Sequence, residues 1–151
     1  MDKKYKIEEV KNEHLPELME LVKVFHKETL SDYGVDTDVS KMEEMFFKCK
    51  KTTLVLLEEG KVKGVISGFL AQPAYSGEYV WQEIIWYVYK ENRSGGVRLY
   101  KAMEKKLKAM GVLKMIMVLM HNSKKEKLEA FYKKLGYAPM ETQYILDLEE
   151  K

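Results

Sequence analysis

The feature that most constrains the fold is a strand–turn–helix–strand succession between residues 79 and 120. The segment "YVWQEIIWYVY" at 79–89 is rich in aromatic and β-branched residues, which favour strands. From Val97 the apolar residues recur at helical spacing, and the run "LKMIMVLM" at 113–120 has the length of a strand buried on both faces. Because a helix separates the two runs, we expect them to be parallel neighbours joined by a right-handed crossover.

The other segments add elements of both kinds around this unit. Strands are predicted at 5–10, in a hairpin over 52–72 and in the alternating tail "ETQYILDL" at 141–148; helices are predicted at 15–30, 40–51, 97–110 and in a segment that ends near Gly136. Ser40 and Glu43 form the pattern of a capping box at the start of the second helix. The sequence therefore predicts one domain over residues 1–151, an α/β (α+β) fold with a mixed sheet of six to seven strands and about four helices.

Composition excludes several classes of protein. The net charge is only +2, so no global case for nucleic-acid or membrane binding follows. No apolar run approaches the about 20 residues of a membrane helix, and the charged N-terminus lacks a signal peptide, so we expect a cytoplasmic protein. The only cysteine, Cys49, lies in an apolar helical pattern and is expected to be a buried thiol. No His, Cys or carboxylate spacing indicates a metal.

The turn before the third helix has the composition of an anion site. Residues 93–98 read "RSGGVR", and a helix start offers free N–H groups and the positive end of the helix dipole. A Walker loop is excluded because no Gly-Lys-Ser/Thr follows, and a dinucleotide fingerprint is disfavoured because only two adjacent glycines are present. The remaining interpretation is a pyrophosphate held by successive amides, with added charge from Arg93 and Arg98.

Two motifs together resemble the GNAT superfamily of N-acetyltransferases. The pyrophosphate loop of that family has the pattern Arg/Gln-x-x-Gly-x-Gly/Ala, and residues 93–98 match it at Arg93 and Gly96, whereas Arg98 replaces the final small residue. The second motif is an Asn followed by a helix that ends in Phe-Tyr-x-x-x-Gly-Phe/Tyr. It is matched in "NSKKEKLEAFYKKLGY" by Asn122, Phe131, Tyr132, Gly136 and Tyr137.

The resemblance implies a cofactor and a place for it. In this family a bulge in the fourth strand splays it from the fifth, and acetyl-CoA lies in the gap. The resemblance assigns Tyr132 as the hydrogen-bond partner of the thioester sulfur, and its alternative is a core tyrosine. The implied cofactor-binding residues are Trp86, Tyr87, Val88, Arg93, Ser94, Gly95, Gly96, Val97, Arg98, Leu99, Asn122 and Tyr132.

A base is needed as well, because a protonated amine must lose a proton before it attacks a thioester. Glu83 is the candidate, since it lies among large side chains in "WQEIIW", where desolvation would raise its pKa. The alternative is an inward carboxylate that pairs with a lysine or lies at a strand edge.

The acceptor is left open at this stage. An acidic loop favours a cationic amine, and nearby aromatic residues would add cation–π contacts. The acidic residues are Glu28, Asp32, Asp36 and Asp38, and the aromatic ones are Tyr33, Tyr75, Tyr79 and Trp81.

The predicted function is an acetyl-CoA-dependent N-acetyltransferase that acts by direct attack of a small-molecule or protein amine. One alternative is a GNAT-fold module that binds CoA or a protein without chemistry. Another is an acetyltransferase for a nucleic-acid-linked amine such as aminoacyl-tRNA, which the Lys-rich third and fourth helices would suit. A homodimer is also left open.

Overall fold

Five strands form one mixed sheet with helices against both of its faces. The structure is a computed structural model that describes residues 4–74, 77–120 and 124–149. The strands are β1 Tyr5–Glu9, β2 Thr53–Glu58, β3 Lys61–Ala71, β4 Val80–Val88 and β5 Lys114–Ile116, and the helices are α1 Leu15–Phe25, α2 Val39–Lys48, α3 Gly96–Ala109 and α4 Lys125–Lys134. Within the described ranges no helix combines the length and the apolar composition that a membrane span requires.

The sheet follows chain order, β1-β2-β3-β4-β5. Strands β1 to β4 are antiparallel neighbours, and β4 pairs with β5 in parallel. Helix α3 carries the chain from β4 to β5, as the crossover of a parallel pair requires. The mixed sheet and the parallel pair predicted from residues 79–120 are confirmed.

Two apolar cores lie on opposite faces of the sheet. On one face Leu18, Val22 and Phe46 of α1 and α2 pack against strand residues, and on the other face Leu99 and Met103 of α3 do so. All nine residues of β4 are at least half-buried, because helices cover both faces of that strand. The aromatic alternation of β4 therefore divides its side chains between the two cores.

A bulge interrupts the pairing of β3 with β4. Ser67 lies opposite Ile85 and Gly68 opposite Glu83, which leaves Ile84 as the extra residue of β4. Gly68 allows the two strands to approach closely at the bulge, since a Cβ at this position would lie 2.3 Å from the Gln82 carbonyl oxygen and 2.5 Å from the Trp81 ring. The bulge expected in the fourth strand is confirmed, and its extra residue, Ile84, directly follows Glu83.

Strands β4 and β5 separate after three pairs of residues. Their ladder joins residues 80–82 of β4 to residues 114–116 of β5. Residues 117–120 continue without strand structure and are half-buried, so the expected strand over 113–120, buried on both faces, is wrong in length and burial. The cause is the divergence of the two strands, because residues after Ile116 no longer have β4 as a pairing partner. The predicted opening between strands four and five is confirmed.

The expected last strand over residues 141–148 is also wrong. These residues are all described and form neither helix nor strand, so the described sheet has five strands instead of six to seven. Tyr144, Leu146 and Leu148 are 92%, 79% and 85% exposed. Alternation of apolar residues produces a strand only where a neighbouring strand and a core face are available, and this segment has neither.

The start of α2 differs from the expectation by two residues. Asp38 is the N-cap, and its carboxylate accepts from the Lys41 N–H at 3.1 Å and from the Ser40 hydroxyl at 2.9 Å. The predicted cap at Ser40 is therefore wrong. An aspartate and a serine within two residues offer equivalent cap chemistry, so the sequence alone does not choose between them.

Candidate active site

Glu83 occupies the point where β4 and β5 part. It is 8% exposed, and its Oε1 atom accepts a hydrogen bond of 2.9 Å from the Val118 N–H. Burial raises the pKa of the Glu83 carboxyl to about 7, against the opposing effect of the Val118 bond. A carboxyl group with this pKa exchanges protons readily near neutral pH.

Tyr132, in α4, also binds Val118. Its side chain is 8% exposed, and its hydroxyl donates to the Val118 carbonyl oxygen at 3.1 Å. Burial and the nearby Glu83 carboxylate raise the pKa of the Tyr132 hydroxyl above its ordinary value, so it stays protonated. The two predicted catalytic side chains thus bind the N–H and the C=O of one residue, Val118, which no sequence pattern singles out.

An aromatic cluster fixes the position of α4. The rings of Phe131, Trp86 and Tyr100 contact one another, and the Phe131 centroid lies 5.8 Å from that of Trp86 and 5.7 Å from that of Tyr100. Tyr132 contacts Tyr137 at 5.2 Å, and the Tyr137 and Tyr100 hydroxyls share a hydrogen bond of 2.6 Å. These contacts join α4 to β4 and α3, and they hold the Tyr132 hydroxyl at the opening.

The turn before α3 contains the residues that the sequence analysis assigns to a pyrophosphate. A 3-10 helix over Lys90–Gly95 leads directly into α3, whose first turn contains no acidic residue. The Gly96 N–H donates to the Arg93 carbonyl oxygen. The amides of residues 97–99 have no partner within α3, and the positive end of the helix dipole adds to them. Asn92 connects the turn to β1 and β2, since its buried side chain donates to the Tyr5 hydroxyl at 3.2 Å and to Glu58 at 3.0 Å.

The two glycines of this turn have different structural roles. A Cβ at Gly95 would lie 2.6 Å from a Leu56 methyl group, so Gly95 is required by packing against β2. A Cβ at Gly96 would meet only Val88, at an ordinary 3.7 Å. The exposed residues of the turn are Arg93, Ser94, Val97 and Arg98, whereas Leu99 is buried in the α3 core.

The part of β4 that the resemblance assigns to the cofactor, residues 86–88, divides its side chains between the two faces of the sheet. Trp86 and Val88 face α3, and the Trp86 Nε1–H donates to the Gly96 carbonyl oxygen at 3.3 Å. Tyr87 faces α1 instead, and its hydroxyl donates to Glu28 at 2.9 Å. The Arg93 guanidinium lies over the Tyr87 ring, and its Nε–H donates to the Val88 carbonyl oxygen.

Several residues proposed for the acceptor already have structural partners. Glu28 binds Tyr87 and Asp38 caps α2. Trp81 is fully buried in the core against α3, so its proposed cation–π role toward an acceptor is wrong. Tyr79 is 57% exposed. Tyr75, and Asn122 of the implied cofactor site, lie outside the described residues.

A cavity of about 250 Å³ lies beside the bulge on the α2 side. Its lining combines apolar and charged side chains: Lys41, Glu44, Met45, Lys48, Cys49, Phe69 and Ile84. Burial raises the pKa of the Cys49 thiol, which makes a reactive thiolate unfavourable there and agrees with a structural role. In the described part of the chain no three His, Cys, Asp or Glu side chains converge as metal ligands.

The residues present fit the groups of acetyl-CoA. Beyond Gln82 the β4 backbone faces an opening instead of β5, which suits an extended amide-bearing arm. At its far end the N-terminal turn of α3 offers amides without a competing carboxylate, which suits a pyrophosphate.

The same fold occurs in solved acetyltransferases. An aminoglycoside acetyltransferase from an uncultured soil metagenomic sample, in complex with sisomicin, has 17% sequence identity and a TM-score of 0.72, with 98% of this chain and 99% of that chain covered. A ribosomal-protein-alanine N-acetyltransferase from Brucella melitensis biovar Abortus 2308 has 15% identity and a TM-score of 0.74, with coverage of 95% and 99%. A Trypanosoma brucei acetyltransferase has 19% identity and a TM-score of 0.69, with coverage of 95% and 99%.

No curated protein sequence matches the chain significantly. The family model of the acetyltransferase (GNAT) family, by contrast, matches residues 15–137. That span contains the bulge, the turn before α3, and both Glu83 and Tyr132. The chain belongs to the GNAT acetyltransferase family.

Proposed function

We propose that this protein transfers the acetyl group of acetyl-CoA to a primary amine by direct attack of that amine. The observation that carries the proposal is the meeting of Glu83 and Tyr132 on Val118, at the point where β4 leaves β5. A carboxyl group with a pKa of about 7 and a protonated phenol on the two sides of one opening are suited to an acid–base reaction.

The cofactor would lie along β4 and end at the turn before α3. The backbone of Trp86, Tyr87 and Val88 would bind the pantetheine arm in the manner of an added strand. The amides of residues 94–99 would bind the pyrophosphate, with charge from Arg93 and Arg98. We include Asn122 as a contact of the cofactor arm on the resemblance alone.

Acetyl-CoA supplies an acetyl group activated as a thioester. Glu83, when ionised, takes the proton of the incoming ammonium and leaves a nucleophilic amine. As the C–N bond forms and the C–S bond breaks, the amine loses a second proton and the departing thiolate takes one up. Tyr132 turns its hydroxyl from the Val118 carbonyl to the sulfur and stabilises the negative charge there.

The test measures thiol release from acetyl-CoA with three amines: sisomicin, a peptide with an N-terminal alanine, and spermidine. We expect release with at least one of them. Tyr132→Phe should lower kcat about 100-fold with little change in the Kd of acetyl-CoA. The matched control is Tyr144→Phe, because Tyr144 is 92% exposed and lies outside the opening, and we expect it to behave as wild type.

The pH dependence tests the base. For the wild type, kcat/KM should fall as pH drops below about 7, because Glu83 then becomes protonated. Glu83→Gln should lower the rate and remove this limb. Unchanged kinetics in both the Tyr132 and the Glu83 variants would contradict the assigned roles. CoA binding without thiol release from any amine would favour a non-catalytic module instead.

A further inference from the structure

The side chain of Tyr87 lies on the face of the sheet opposite the proposed chemistry. It is 8% exposed and packs edge-on against Phe25 of α1, with the ring centroids 5.6 Å apart. Its hydroxyl donates to the Glu28 carboxylate at 2.9 Å. Burial, followed by the effect of Glu28, raises the pKa of Tyr87 to about 12. The hydroxyl is therefore a permanent donor that ties β4 to Glu28.

Glu28 belongs to a π-helical turn, His26–Leu30, which continues α1. The Ser31 N–H donates to the His26 carbonyl oxygen, which is the backbone bond of a π-helical turn. Two side-chain bonds hold the turn in place: the Thr29 hydroxyl donates to the Phe25 carbonyl oxygen at 2.7 Å, and the His26 Nε2 atom pairs with the Val35 carbonyl oxygen. The second bond connects the turn to the loop that precedes α2. A movement of Glu28 would therefore be transmitted to that loop.

Arg93 contacts the other side of Tyr87. Its guanidinium carbon lies 5.3 Å from the centroid of the Tyr87 ring, and its Nε–H donates to the Val88 carbonyl oxygen. Arg93 is exposed and stands in the turn before α3, where we place the pyrophosphate. Arg93, Tyr87 and Glu28 thus form an unbroken line of contacts from that turn to the π-helical turn.

We propose that Tyr87 is a positioning residue that couples phosphate binding at the turn before α3 to the π-helical turn after α1. The inference rests on the proposed binding of CoA. A phosphate draws the guanidinium into charge-assisted hydrogen bonds, which are stronger than its contact with an aromatic ring. The contact of Arg93 with the Tyr87 ring then weakens, so Tyr87 holds Glu28 less firmly and the π-helical turn opens more readily.

The experiment is hydrogen–deuterium exchange of the full chain, with and without saturating CoA, followed in peptides that cover residues 26–33. In the wild type we expect CoA to speed exchange of these amides about fivefold, the lower end of typical coupling between sites. Tyr87→Phe keeps the ring but loses the bond to Glu28, so it should lose this response. Glu28→Gln keeps an acceptor for Tyr87 but replaces a charge-assisted hydrogen bond with a weaker neutral one, and it should lose most of the response.

Tyr89→Phe is the matched control, because the Tyr89 ring packs edge-on against Tyr87 at 6.2 Å and the variant leaves the Tyr87–Glu28 bond intact. It should retain the full response. A structural role alone for Tyr87 would change exchange equally in the free and the CoA-bound protein, not their difference. Calorimetry gives the Kd of CoA for each variant. Absence of CoA binding by the wild type would overturn both proposals, whereas binding with no faster exchange, or with a wild-type response in Tyr87→Phe, would overturn only the coupling.

Discussion

A buried carboxyl group lowers the stability of the folded chain when it is ionised, and Glu83 is in this position. Its folded-state pKa of about 7 exceeds its unfolded value of 4.5. Below pH 4.5 the carboxyl is protonated in both states and costs nothing. Between these values the folded chain binds more protons than the unfolded chain, so stability falls as pH rises. Above about pH 7 the full penalty, about 3 kcal/mol, applies.

Glu83→Gln should therefore be more stable than the wild type at pH 8, by up to about 3 kcal/mol, and equally stable near pH 4.5. The amide oxygen can still accept from the Val118 N–H, so the change removes the charge and not the contact. Urea unfolding at pH 4.5, 6 and 8 measures the difference. The control is Glu43→Gln at an exposed position of α2. A difference independent of pH would contradict the raised pKa.

At the scale of elements, the start of α3 depends on one glycine more than on the other. Gly95→Ala would force the Leu56 side chain to move, because a Cβ there would lie 2.6 Å from its methyl group. We expect a loss of about 1–3 kcal/mol. Gly96→Ala should cost nothing, because its Cβ has room and alanine favours a helix. Thermal unfolding of the two variants measures this, and equal melting temperatures would refute it.

A hydrogen bond between two tyrosine hydroxyls helps to attach α4 to α3. The bond between the Tyr137 and Tyr100 hydroxyls, at 2.6 Å, is partly buried and joins the segment just after α4 to the N-terminal half of α3. Tyr137→Phe should lower the free energy of unfolding by about 1 kcal/mol and leave a buried Tyr100 hydroxyl with fewer partners. Hydrogen exchange in α4 should rise in the same variant. Exchange that is unchanged in α4 would mean that ring packing alone holds the helix.

For the whole molecule, stability is distributed unevenly along the chain. Residues 141–148 form no helix or strand, and their apolar side chains are largely exposed. We expect chymotrypsin to cleave first after Tyr144, Leu146 or Leu148, because proteases attack exposed segments without secondary structure. Mass spectrometry of the early products checks this. First cleavage within β4 or α3 would show that the segment is protected in solution.

The sequence predicted the elements whose local pattern agrees with their final surroundings. The aromatic run of β4 and the apolar stripe of α3 are long, and both are buried as their periodicity indicates. The tail at 141–148 alternates equally well, yet it has no neighbouring strand, and alternation cannot reveal that. The π-helical turn at His26–Leu30 has no local signature, because the extra residue is held by contacts with β4 and the following loop.

The candidate site was predictable in part for the same reason. Glu83 was expected from a carboxylate among large side chains, and its burial agrees with that expectation. Trp81 was placed on the wrong surface, because a one-residue bulge changes which strand positions face the helices. Val118 was not predicted, since it acts through its backbone and any residue type supplies the same N–H and C=O.

Opening a β-sheet leaves backbone N–H and C=O groups along the separated edges to be satisfied by something other than a strand. Here Val118 is satisfied by Glu83 on one side and by Tyr132 on the other. The two side chains proposed for the reaction are therefore the same ones that satisfy the backbone at the opening. A redesign that replaces either side chain to obtain different chemistry must also supply a new donor or acceptor for Val118, or the two strands will close.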